Sequence, residues 1–133
     1  MIAVDTNVVA YLLLPGPQTA LAEALLIDQP NWAAPPLWRS EWRNVLSGYL
    51  RRGDLSLDQV LSLQQQAEDL VIRHEEAVCS DAVLRLAATS GCSAYDCEFV
   101  VAAQQLGIPL ITADRAVLRA FPDLAHPLPQ ATT

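Results

Sequence analysis

Asp5, Glu41, Asp96 and Asp114 are four carboxylates lying at the ends or on the inner faces of separate segments of a 133-residue chain. Hard oxygen donors gathered in an apolar setting are the ligands of a divalent cation. Asp5 follows the apolar run Met1-Ile2-Ala3-Val4 and precedes Thr6-Asn7 and the apolar stretch from Val8 to Leu14. Asp114 follows Ile108-Pro109-Leu110-Ile111-Thr112 in the same manner. A strand-to-helix turn at each would set the acid at the carboxyl edge of a parallel sheet, where open α/β folds carry their ligands.

The other two acids interrupt apolar helical faces. Leu37, Trp38, Glu41, Val45 and Tyr49 recur at i+3 and i+4 spacing, as do Asp96, Phe99, Val100 and Ala103. A carboxylate drawn toward a dry interior needs a donor, a proton or a cation. One shared divalent ion meets that need for several acids at once. Each acid also has a plainer reading: Asp5 and Asp114 as N-caps, Asp96 as a first-turn partner of a helix dipole, Glu41 as the mate of Arg39, Arg43 or Arg115. Their joint placement is what favours a common site.

The segments that must position these acids alternate in type. Strand patterns cover residues 1–5, 32–34, 108–112 and 125–128, with a short one at Val71-Ile72. Helical patterns cover 6–14, 18–27, 36–52, 56–69, 76–90, 94–106 and 114–120, with Pro15-Gly16-Pro17 and Gly53-Asp54 as breaks. Parallel strands joined by right-handed crossovers make this a three-layer α/β/α domain with a central, mainly parallel sheet. Residues 1–128 are expected to form one domain and 129–133 a short tail.

Composition narrows the function classes. Apolar residues make up 52% and charged residues 17%, enough for a core without disulfides. The three cysteines, Cys79, Cys92 and Cys97, form no paired framework or zinc pattern, and His74 and His126 show no ligand spacing. No apolar run is long enough for a membrane span, and the N-terminus lacks the features of a signal peptide, so a cytoplasmic protein is expected. All eight basic residues are arginines. A P-loop ATPase is therefore excluded, since both its lysine and its glycine-rich loop are missing. Receiver-like and haloacid-dehalogenase-like phosphoryl-transfer domains also end a strand in Asp, but they use a lysine, and the latter wants a second Asp where Asn7 stands.

At these same residues the chain resembles the PIN domain family, most closely its VapC-like toxin ribonucleases. The resemblance is carried by Asp5-Thr6-Asn7, by Ser40-Glu41-Trp42, by Tyr95-Asp96-Cys97-Glu98-Phe99-Val100-Val101-Ala102 and by Thr112-Ala113-Asp114-Arg115, in that order. It implies a metal-dependent endoribonuclease that leaves a 5′-phosphate and a 3′-hydroxyl. One or two Mg2+ or Mn2+ ions would be held by Asp5 and Asp96, with Asp114 direct or through water and Glu41 orienting water or completing a second position. Thr6, Asn7 and Thr112 would support the ligands or hold waters.

The net charge of −7 leaves RNA contact to arginines near the crevice, with Arg39, Arg43 and Arg115 the candidates and Arg51 and Arg52 further along the same helix as Arg39. The resemblance also implies a homodimer and a small cognate antitoxin that covers apolar grooves and reaches the site with an arginine. Trp38, Trp42, Tyr49 and the aliphatic positions of the first helices are candidate docking residues. Two alternatives stay open at this level: a PIN ribonuclease of RNA processing or decay, and a catalytically silent PIN-like binding module.

Overall fold

The computed structural model describes residues 1–129. Its sheet contains β1 (Ile2–Val4), β2 (Trp32–Ala33), β3 (Leu110–Ile111) and β4 (Ala125–His126) in the order β2-β1-β3-β4, with every pairing parallel. Between and around the strands run α1 (Thr6–Leu13), α2 (Thr19–Asp28), α3 (Leu37–Arg52), α4 (Leu57–Val71), α5 (Ser80–Ser90), α6 (Ala94–Leu106) and α7 (Arg115–Ala120). A parallel sheet must be covered on both faces because its crossovers place helices there. All three residues of β1 are accordingly buried, as are both residues of β2 and of β3. The expected α/β/α architecture is the one observed.

One register matters most for the site. Val4 pairs with Ile111, and the Asp5 amide donates to the Ile111 carbonyl at 3.2 Å. The next residue on each strand, Asp5 and Thr112, therefore emerges side by side at the carboxyl edge. The chain turns directly into α1 after the first and, three residues beyond the second, into α7. Both turns are closed by carboxylate caps: Asp5 accepts from the Val8 amide at 3.2 Å and Asp114 from the Val117 amide at 3.0 Å.

The α3 helix buries Trp38, Trp42 and Leu46, spaced four residues apart. Both tryptophans are fully buried and belong to the core, so they are removed from the expected docking surface. Arg39, on the neighbouring stripe, reaches Glu68 of α4 and Glu75, whose Oε1 accepts from Arg39 Nε at 2.6 Å and from Trp38 Nε1 at 2.7 Å. The Arg39 guanidinium, with help from the Trp38 indole, holds the Glu75 carboxyl below the usual carboxylate range.

The strands are shorter than the sequence reading, Leu110–Ile111 where 108–112 was expected and Ala125–His126 where 125–128 was, and the region after residue 69 differs more. Val71 ends α4 instead of opening a strand, because Val60, Ala67 and Val71 form one buried helical stripe; a 3-10 turn, Ile72–His74, follows. The sheet-like contact falls later, as a parallel bridge between Ala34 and Glu75. The fifth helix starts at Ser80, not at 76, because the Gln105 side chain binds Glu76 Oε2, the Ala77 carbonyl and the Cys79 amide at 2.8–3.0 Å and holds that stretch extended. Leu128 is buried in the core, and residues 130–133 of the expected tail lie outside the described residues.

Burial on α3 generates the first prediction. Leu46 is 2% exposed, so Leu46→Ala should destabilise the fold by about 2–5 kcal/mol in urea denaturation, the usual cost of an unfilled core site. Leu61 is 58% exposed, and Leu61→Ala should change stability by no more than about 0.5 kcal/mol. Equal effects from the two would contradict this packing.

Candidate active site

The four acids line a single open cavity of about 250 Å3 at the carboxyl edge of the sheet. Each arrives on a different element: Asp5 at the end of β1, Glu41 in the second turn of α3, Asp96 in the first turn of α6, and Asp114 before α7. Val45, Phe99, Leu110 and Val117 supply the apolar part of the wall.

Asp5 is the most constrained of the four. Its Oδ1 accepts from the Val8 amide and its Oδ2 from the buried Thr112 hydroxyl. Burial nevertheless raises its carboxyl above the ordinary value; the hydrogen bonds from Thr112 and from the amides of Val8, Asn7 and Ala113 oppose that shift without cancelling it. Thr112 is 2% exposed and acts in two directions, because its Oγ1 also accepts from the Asp114 amide at 3.1 Å. A single hydroxyl thus fixes Asp5 and the backbone of Asp114 together.

Asp96 is placed by the cap of α6, where Ser93 Oγ accepts from the Asp96 amide at 3.1 Å. Its carboxyl is raised by desolvation and then by the negative charge of Asp114, against a lowering contribution from the Ser93 hydroxyl. Glu41 accepts from the buried Thr6 hydroxyl at 2.7 Å, which takes the place of the arginine partners considered for it. Glu98, two residues after Asp96 on α6, is raised by burial and by the charge of Glu41. The sequence offers Glu98 only as part of the motif around Asp96, and the charge of Glu41 reaches it in the fold.

Capping and cation binding are compatible uses of these acids. A carboxylate has about four lone-pair directions, and each capping acid uses one oxygen for the helix amide. Among the described residues, no group of three or more His, Cys, Asp or Glu side chains is drawn together tightly enough to hold an ion as it stands. Like charges repel, and hydrogen bonds hold Asp5 and Glu41 toward their threonines. Mg2+ suits such a site, since it retains several waters and takes only one or two carboxylates directly. Oxygen-only donors, a desolvated Asp5 and an Asp96 strained by Asp114 fit a hard divalent ion.

None of the candidate arginines lies on the cavity lining among the described residues. Arg39 is committed to Glu68 and Glu75 and does not line the cavity. Arg43 and Arg115 are exposed and also lie outside its lining, and Arg52 pairs with Asp54 while stacking over Tyr49. The polar neutral residues on the lining are Thr6, Thr112, Asn7 and Asn44. Asn44 was not singled out from the sequence. Its signal is the i+3 spacing from Glu41, which sets the two on one helical face where Arg43 at i+2 cannot be.

A second concavity, more apolar, runs between the end of α1 and the start of α4, lined by Leu13, Leu14, Pro15, Leu55 and Leu63. Leu57 and Leu61 of α4 are also exposed. Among the described residues no helix is long and apolar enough to cross a membrane.

Known proteins share both sequence and shape with this chain. It is 28% identical over 130 residues to Ribonuclease VapC3 of Pyrobaculum aerophilum, covering 95% of this chain and 98% of that protein. Two crystal structures have its fold at 20% identity: PAE2754 from Pyrobaculum aerophilum, with a TM-score of 0.75 over 96% of this chain and 83% of that one, and FitAcB from Neisseria gonorrhoeae, with a TM-score of 0.68 over 94% and 96%. The family model of the PIN domain matches residues 2–124, nearly the whole described fold, and the chain belongs to the PIN domain family.

Proposed function

We propose that this protein is a metal-dependent endoribonuclease acting as the toxin of a toxin–antitoxin pair. The observation that carries the reading is the convergence of Asp5, Glu41, Asp96 and Asp114 from four elements on one cavity, in a PIN domain similar along its length to a protein named as a VapC ribonuclease. A Mg2+ or Mn2+ ion bound there supplies a more acidic water and positive charge for the leaving 3′-oxygen.

The chain's own residues do the rest. Asp5 and Asp96 are the principal ligands, Asp114 binds directly or through water, and Glu41 orients the attacking water or completes a second position. Thr112 holds Asp5 against its capped amide, and Thr6 holds Glu41, so that neither acid has to be ordered when RNA arrives. Cleavage leaves a 5′-phosphate and a 3′-hydroxyl. The partners on this reading are RNA, a second copy of the chain, and a small antitoxin whose apolar segment lies in the groove beside Leu13, Leu14 and Leu63, all in the cytoplasm.

Asp5→Asn and Asp96→Asn should each retain the fold yet lower Mn2+-dependent RNA cleavage by more than the ~10- to 100-fold that removal of a ligand's outer partner costs. Purified variants, total RNA, chelator controls and end mapping of the fragments make the measurement. Full activity in both variants, or robust cleavage in excess chelator, overturns the assignment.

The raised carboxyl of Asp5 carries a pH prediction. Its folded value lies above the ordinary 3.8, so the folded protein holds this proton more tightly than the unfolded chain does. The resulting stability is full below the unfolded value and is lost as pH rises through the folded value. Metal-free wild type should therefore lose stability relative to Asp5→Asn as pH climbs from about 4 toward neutrality. Mn2+ at one hundred times its Kd should add about 2.7 kcal/mol to wild type and much less to Asp5→Asn. A difference between the two proteins that does not vary with pH contradicts the desolvation of Asp5.

In cells, expression of the chain alone should halt growth with RNA cut at a few defined positions, and coexpression of the antitoxin should restore it. Normal growth in the presence of soluble, active protein removes the toxin role while leaving the nuclease.

A further inference from the structure

The cavity is rich in acceptors and poor in donors. Its four acids accept only, and both of its hydroxyls are already donating, Thr6 to Glu41 and Thr112 to Asp5. Among the described residues no arginine or histidine lines it. Among the described residues, the side-chain N–H groups on its wall belong to Asn7 and Asn44, and neither amide has a hydrogen-bond partner within the fold. A phosphodiester presents acceptor oxygens and negative charge to this surface.

We infer that Asn44 is a substrate-binding residue whose side-chain amide donates to a backbone oxygen of the RNA strand beside the scissile phosphate. This rests on the ribonuclease reading above. Asn44 stands one helical turn beyond Glu41 on α3, an element anchored by Trp38, Trp42 and Leu46, so its backbone is held at a set place relative to that of Glu41. Neutrality suits the position. A carboxylate there would repel the phosphate, and a cation would pair with the acids in place of a metal ion. The amide can donate without doing either.

A position on the wall, with an exposed side chain that binds nothing in the fold, means that replacement should leave folding intact. The acceptor is either a non-bridging phosphate oxygen or the ribose 2′-oxygen, and both are oxygens of the same sugar-phosphate backbone.

The test uses the full chain, Mn2+ and a fluorescent single-stranded RNA 20-mer cut by wild type, compared with the same strand carrying a 2′-deoxy nucleotide on the 5′ side of the cut. Asn44→Ala should keep its melting temperature and its Mn2+-induced thermal shift. Its kcat/KM should fall, about 10- to 100-fold where the acceptor is the charged phosphate and about 2- to 10-fold where it is the neutral 2′-oxygen, and the fall should lie mainly in KM. Asn44→Asp, nearly the same shape, should be worse than Asn44→Ala while its Mn2+ shift is kept or increased. A neutral donor displaces no counterion, so the salt dependence of KM should stay that of wild type. If the deoxy substitution weakens wild type and leaves Asn44→Ala unchanged, the 2′-oxygen is the acceptor; if it weakens both equally, the phosphate is.

Wild-type kinetics in Asn44→Ala would overturn the inference and leave the ribonuclease standing. So would Asn44→Asp cutting as well as or better than wild type, which would make this a cation-holding position. A wild-type protein that cuts no RNA with Mn2+ would remove the ribonuclease reading, and with it the role of Asn44.

Discussion

The parallel pairing of β1 with β3 sets the geometry on which the site depends. Val4 lies opposite Ile111, so Asp5 and Thr112 leave the sheet as neighbours although 107 residues separate them in the chain. A slip of one residue would turn every side chain of β1 to the opposite face and take Asp5 away from the cavity. Burial on both sides of β1 makes that slip costly. The same apolar residues that stabilise the sheet therefore fix the position of a charged one.

Charge concentrated at that edge works against the fold that positions it. Asp5 is desolvated by the core beneath it, and Asp96 feels both desolvation and Asp114. Helix caps and threonine hydroxyls offset part of this penalty, as the directions of the individual shifts show. The same hydrogen bonds turn Asp5 toward Thr112 and Glu41 toward Thr6. Strain of this kind is characteristic of sites prepared for a ligand that neutralises them.

Much of this was readable from sequence because it is local. The run Ile2-Ala3-Val4 before Asp5, and Leu110-Ile111 before Thr112, announce strands that end in polar residues, and Gly53 and Gly107 close α3 and α6 at positive φ where glycine is at ease. What could not be read depends on distant partners. Nothing near Arg39 indicates that Glu68 and Glu75 will claim it, and the apolar pair Val71-Ile72 suits a strand as well as the end of a helix until the stripe through Val60 and Ala67 is seen to be buried. Trp38 and Trp42 have the composition of a docking surface and the burial of a core, and only packing separates the two. Asn44 lines the cavity and its neighbour Arg43 does not, a difference set by helical phase and not by charge.

Helical phase also shows how far the site depends on residues outside it. Glu41 and Asn44 face the cavity only while α3 keeps its rotation about its own axis. That rotation is set on other stripes of the helix, by Trp38, Trp42 and Leu46 in the core and by the grip of Arg39 on Glu68 and Glu75. Glu75 binds both Trp38 and Arg39, and its neighbour Glu76 donates its amide to the Ala34 carbonyl at 3.0 Å, so α3 is tied to the end of β2 as well as to α4. An ion pair that is partly open to water contributes little to stability by itself. Here its larger consequence is directional: it fixes the angle at which a helix carries an acid and an amide toward a cavity that the ion pair does not touch.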